Sequence, residues 1–194
     1  MAAFLASIIC ICTPIVSGFL ASMIFTNRSE KSYQFEDLFI DETHFPPDID
    51  VEAVGPNRIC VASPLGSGCR SVEATGFDYY FPVGFASEDI HRYRSIESAA
   101  NDFPHFRTEQ FEESTNTIWT TPSDITFSSS IALSYFVACT LDREVEICQL
   151  VAQYREFIVL FKAQMVSLNH KGFEELIRSV DAQMAEGLLE QPDG

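Results

Sequence analysis

The spacing Cys-x8-Cys occurs twice in this chain, as CVASPLGSGC over 60–69 and as CTLDREVEIC over 139–148. Each copy brackets residues that turn a chain back on itself. In the first, NRICVA and CRSVEAT read as strands, and Ser63-Pro64-Leu65-Gly66 carries Ser, Pro and Gly at the positions a type I turn favours. A hairpin about that turn sets Cys60 opposite Cys69, and cross-strand Cβ atoms about 4.5–5.5 Å apart approach disulfide range. In the second, ALSYFVAC and CQLVAQYREFIVLF are strand-like, and a turn at Asp142–Val145 sets Cys139 opposite Cys148. Two antiparallel hairpins, each able to close its own staple, exclude an all-helical fold.

Cysteine pairs also serve as metal ligands or redox thiols, but both chemistries favour the tighter Cys-x2-Cys spacing. That spacing is absent from residues 28–194. Four cysteines permit three connectivities, and only the local one accounts for the repeated spacing. The reading is therefore two structural disulfides, Cys60–Cys69 and Cys139–Cys148, with no metal or cofactor site. Disulfides persist in oxidising compartments, so the expected address is extracytoplasmic.

Met1 to Asn27 contains no charged side chain. As a helix, such a run is long enough to cross about 30 Å of hydrocarbon, and a membrane helix tolerates the kink Pro14 would introduce. Residues 1–27 are read as a transmembrane anchor; a cleaved signal peptide is the alternative, with Val16-Ser17-Gly18 as its small-residue cleavage site. Arg28 and Lys31 follow the segment and, by the positive-inside rule alone, would hold the rest of the chain in the cytoplasm. The cysteine pairs outvote them. A linker over 28–34, a domain over 35–190 and a disordered tail over 191–194 complete the expected organisation.

Within the domain, Phe35, Leu38, Phe39 and Phe45 are suited to packing a short helix and a turn onto a core, with Pro46-Pro47 ending that stretch. GFDYYFPVGF (76–85) reads as an aromatic strand and EDIHRYR (88–94) as another. SIESAANDF reads as a short helix with Ser95 as N-cap and Ser98 at the capping-box position. NTIWTT reads as a strand ending at Pro122, and the return strand of the second hairpin runs on to about Met165. The final element is an amphipathic helix whose apolar stripe is Phe173, Leu176, Ile177, Val180, Met184 and Leu188, with Glu174, Glu175, Arg178, Asp181 and Glu186 elsewhere. The fold class is α+β: an antiparallel sheet packed by that C-terminal helix and a shorter one.

Catalytic constellations do not assemble from the sequence. It contains no G-x-S-x-G, no H-E-x-x-H and no P-loop. His44, His91, His105 and His170 are scattered, none with a nucleophile at useful spacing. Asp48, Asp50 and Glu52 alternate as on a strand, but Ala53 and Ile59 stand where an EF-hand loop needs Gly and Glu. Trp119 is expected in the core, and Tyr79, Tyr80, Phe81 and Phe85 either in the core or lining a groove. With 28 acidic against 12 basic residues the formal charge is −16, which repels phosphate backbones and disfavours nucleic acid as a partner.

The stretches FIDETHFPPDI, IHRYRSIESAANDF and ALSYFVACTLDREVEICQLVAQYREFIVLF, followed by GFEELIRSVDAQMAEGL, resemble in order bacterial cell-surface and lipoprotein domains with a PsbP/Mog1-like α+β fold. The resemblance spans most of residues 35–190. It implies a non-enzymatic accessory or sensing domain attached to a membrane, and it brings no catalytic residue. Such domains often carry a lipobox; this chain has none. The expected function is a membrane-tethered extracytoplasmic binding module with a protein partner at the membrane surface. The alternative is a small-molecule or lipid carrier with a cleft between sheet and terminal helix.

Overall fold

A computed structural model describes residues 35–61, 69–113 and 117–189. The chain divides into two units, Met1–Ser32 and Tyr33–Gly194. The expected anchor and linker lie outside the described residues, as does the expected tail. Among the described residues, no helix is long and apolar enough to cross a membrane.

Six strands form one sheet: β1 (Glu52–Val61), β2 (Glu73–Phe81), β3 (Gly84–Arg92), β4 (Ser134–Asp142), β5 (Val145–Tyr154) and β6 (Phe157–Gln164). Their spatial order is β1-β2-β3-β6-β5-β4, and every neighbouring pair is antiparallel. The sheet is thus two three-stranded meanders joined at β3–β6. Each meander is followed by a helix, α1 (Ile96–Gln110) or α2 (His170–Leu189), and each has a cysteine pair tying its first strand to its second strand or the approach to it. The sequence shows this βββα repeat only through the cysteine spacing.

Three stretches read as single strands or short elements are organised differently. GFDYYFPVGF is a hairpin, because Pro82-Val83 turns the chain and Phe81 pairs with Gly84. Gly84, at φ 118°, takes a backbone conformation disfavoured for other residues. The expected long return strand of the second hairpin also divides, turning at Arg155-Glu156 so that Tyr154 faces Phe157. A continuous apolar run hid this turn, since β5 and β6 are covered on both faces and lack polar alternation. NTIWTT forms no strand in its described part, only isolated bridges at Thr117 and Thr120, the latter to Cys139.

Period-two alternation sorts the side chains of β5 and β6. Cys148, Leu150, Ala152, Tyr154, Phe157, Val159, Phe161 and Ala163 enter the larger core with Phe173, Leu176, Ile177, Val180 and Met184 of α2. Phe35, Leu38, Phe39, Ile40 and Phe45 of the N-terminal segment complete that layer. Val151, Ile158 and Leu160 point to the other face and meet Ala99, Phe103 and Phe106 of α1. The sheet therefore lies between its two helices. α1 starts at the expected N-cap, Ser95, whose hydroxyl accepts from the Ser98 amide at 3.1 Å. It runs beyond the expected end and through Pro104, because Phe103 and Phe106 bury on the sheet on either side of that residue. Gln149 and Gln153 of β5 donate to the Gln110 and Ile96 carbonyls, pinning both ends of α1.

Candidate functional site

The two staples are built differently. Arg143 and Glu144 both have positive φ (47° and 74°), the geometry of a two-residue type I′ turn, and Asp142 pairs with Val145. From that closure the register counts back to Cys139 opposite Cys148, with Cα atoms 4.0 Å apart and a disulfide between them. Cys139 uses its own amide and carbonyl toward Thr120, at 2.8 and 2.9 Å. This is the arrangement expected at a non-hydrogen-bonded cross-strand position, where side chains approach most closely.

Cys60 is also disulfide-bonded to Cys69, but it does not face it. Its strand partner is Ala74, and β2 begins only at Glu73. Cys69 therefore lies ahead of the strand, and the expected direct pairing about Ser63–Gly66 is corrected. The register is displaced because residues 70–72 are held elsewhere. The Val72 amide bonds the Arg92 carbonyl at 2.8 Å, and Arg70 pairs with Asp102 at 3.3 Å and with Glu109, both on α1. Tyr93 donates to the same Asp102 at 2.5 Å. Ser71, buried, sits 3.4 Å from the Cys60 sulfur and 3.6 Å from that of Cys69. This staple joins β1 to the α1 face of the domain.

Around the second disulfide the fold gathers residues that sequence reading left apart. Glu146 is two residues from Cys148 and shares its side of β5. His170, the first residue of α2, arrives there because α2 packs on that face. One ligating atom from each of Cys139, Glu146, Cys148 and His170 lies within 4.8 Å of the others, with both cysteines buried and the other two half-buried. His170 Nδ1 is 2.8 Å from Asp124 Oδ1, and its Nε2 is 3.1 Å from Glu146 Oε1. Burial opposes protonation of this ring, but the hydrogen bonds to Asp124 and Glu146 and their charges outweigh it and raise its pKa. Each of its two ring nitrogens faces a carboxylate. The sequence expectation of no metal ligands rested on local spacing and did not see this set.

A second unforeseen feature lies in the larger core. Glu88 of β3 is wholly buried. Its Oε2 accepts from the Ile40 amide at 3.2 Å and is 3.1 Å from the Tyr79 hydroxyl, which donates to the Ile40 carbonyl at 2.8 Å. The single Tyr79 proton is shared between these two acceptors, the Ile40 carbonyl and Glu88 Oε2. Burial pushes the Glu88 pKa up to about 8, against the opposing hydrogen bonds from Ile40 and Tyr79. A neutral Glu88 and Tyr79 together clamp both backbone groups of Ile40, docking the N-terminal segment on the sheet. On the α1 face, burial lowers the His91 pKa to about 4, and the ring packs edge-on against Phe106.

The other candidates are dispersed. Asp48 lies in a turn, Asp50 precedes β1, and only Glu52 is on a strand, so the three carboxylates do not align. Tyr79 and Phe81 are core residues, while Tyr80 is half exposed. Trp119 is only half-buried, edge-on to Phe111 and outside both core clusters. His44 caps its own turn through Asp41.

No protein-family model and no curated protein sequence matches the chain. Among solved structures, the fold is similar to that of the extracellular domain of PknH from Mycobacterium tuberculosis. The TM-score is 0.53 at 7% identity, over 80% of this chain and 95% of that one.

Proposed function

We propose that residues 35–190 form an extracytoplasmic binding or sensing module without catalytic activity, tethered through residues 1–27 and engaging a protein partner at the membrane surface. The observation that carries the reading is the pair of disulfides, one in each half of the sheet, because such bonds persist where thiols are not kept reduced. One further observation points the same way: the similar solved fold is that of an extracellular domain.

The carrier alternative needs open apolar space between sheet and terminal helix. Phe161, Phe173, Leu176, Ile177, Val180 and Met184 are fully buried in that layer, which favours the module. Lys171, 86% exposed on α2, provides the test of address. A membrane-impermeant amine reagent added to intact cells making the full chain labels Lys171 while a cytoplasmic control stays unlabelled. Labelling only after lysis overturns the proposal. N-terminal sequencing that begins before residue 19 supports a retained anchor, and a start near Phe19 supports cleavage. A small molecule retained through native mass spectrometry would move the reading to the carrier.

A further inference from the structure

We propose that Cys139, Cys148, His170 and Glu146 form a zinc site when the Cys139–Cys148 disulfide is reduced, so that staple and metal are alternative states of the same four residues. The inference is independent of the address proposed above.

The donor set is two thiolates, an imidazole and a carboxylate, which suits Zn2+ and its tetrahedral preference. Zn–S bonds of about 2.3 Å and Zn–N bonds of about 2.0 Å put the ligand atoms of a tetrahedron roughly 3.3–3.8 Å apart. The four atoms already lie within 4.8 Å of one another; reduction lets the two sulfurs part from about 2.05 Å by roughly 1.7 Å, and small shifts of the other two side chains close the shell. The ligands come from three elements: Cys139 on β4, Glu146 and Cys148 on β5, and His170 at the start of α2. A second observation singles out His170. Its Nδ1 is held by Asp124 at 2.8 and 2.9 Å while Nε2 faces Glu146. A carboxylate on the far nitrogen is the usual outer support of a metal-ligating histidine. The Cys60–Cys69 pair has Ser71 beside it and belongs to no such cluster among the described residues.

The chemistry balances with a dithiol as reductant. The protein S–S bond breaks and takes up two electrons and two protons, and the dithiol is oxidised to its own disulfide. Zinc then binds the two thiols with release of two protons. The metal replaces the covalent link between β4 and β5 and extends it to α2.

The test uses the full chain in detergent, reduced with a trialkylphosphine in the presence of zinc, with a Cys60→Ser/Cys69→Ser variant isolating the second pair. After removal of free metal, the reduced chain is expected to hold one zinc more than the oxidised chain, and cobalt in its place to give tetrahedral thiolate spectra. Cys139→Ser/Cys148→Ser abolishes this extra metal. Asp124→Asn weakens binding by about 10–100-fold, measured by chelator competition, with the cobalt spectrum kept. His170→Ala weakens it further and changes the spectrum. The proposal is overturned by equal zinc in oxidised and reduced chains, by an octahedral cobalt spectrum, or by binding that ignores His170→Ala. A reduced wild type that loses its far-UV circular dichroism despite added zinc overturns it as well.

Discussion

Replacing Glu88 by Gln should change how the stability of this domain depends on pH. In the folded domain the Glu88 carboxyl titrates at about 8, and in an unfolded chain it has the ordinary Glu value of about 4.3. Between those values the folded state keeps a proton that the unfolded state has released, so Glu88 makes stability fall as pH rises from about 4.5 through about 8. At about 1.4 kcal/mol per pH unit, the full loss is on the order of 5 kcal/mol. Gln has the same shape and no charge, and its amide oxygen, placed where Glu88 Oε2 lies, still accepts from the Ile40 amide. Asp89, raised to about 6 by burial and by Asp78, contributes to both curves and largely cancels in their difference. Denaturant titrations of residues 33–194, disulfides intact, should therefore show Glu88→Gln gaining about 4 kcal/mol on wild type between pH 5 and pH 8.5. Parallel curves over that range would refute the reasoning. They would mean that Glu88 reaches water or a cation when ionised, and that the clamp on Ile40 does not depend on a neutral carboxyl.

Three further outcomes are expected. Leu176→Ala or Ile177→Ala, fully buried under α2, should cost about 2–5 kcal/mol. Glu175→Ala on the exposed side should cost within about 0.5 kcal/mol, and equal small shifts in denaturant midpoint would mean that the helix does not dock. Glu144→Gly relieves a non-glycine residue at φ 74° and should raise stability by about 1 kcal/mol by the same titration; a loss would contradict the turn geometry. Non-reducing peptide mapping should recover Cys60 linked to Cys69 and Cys139 linked to Cys148, and Cys139→Ala/Cys148→Ala should lower stability by about 2–3 kcal/mol for a loop of this length.

The elements whose signals are local were legible in the sequence. The 3.6-residue spacing of Phe173, Leu176, Ile177, Val180 and Met184 specified the helix and its buried face, and the structure buries all five completely. Ser95 marked where α1 begins. Asp142-Arg143-Glu144-Val145 marked a turn that requires only residues already adjacent, and the Cys139–Cys148 pairing follows from it by counting. Where the outcome depended on distant partners, the sequence had no means of stating it. Cys60 pairs with Ala74 rather than facing Cys69, because Val72 is bonded to Arg92 and Arg70 to acids on α1, contacts that exist only once the sheet and helix are assembled. Glu88 looks like one surface carboxylate among many until β2, β3 and the N-terminal segment close around it. His170 is 22 residues beyond Cys148, and only the docking of α2 on β5 carries it to the disulfide. Periodicity and turn chemistry act between neighbours in the chain. Burial of a charge and convergence of ligands are properties of packed surfaces, and the tertiary structure alone decides them.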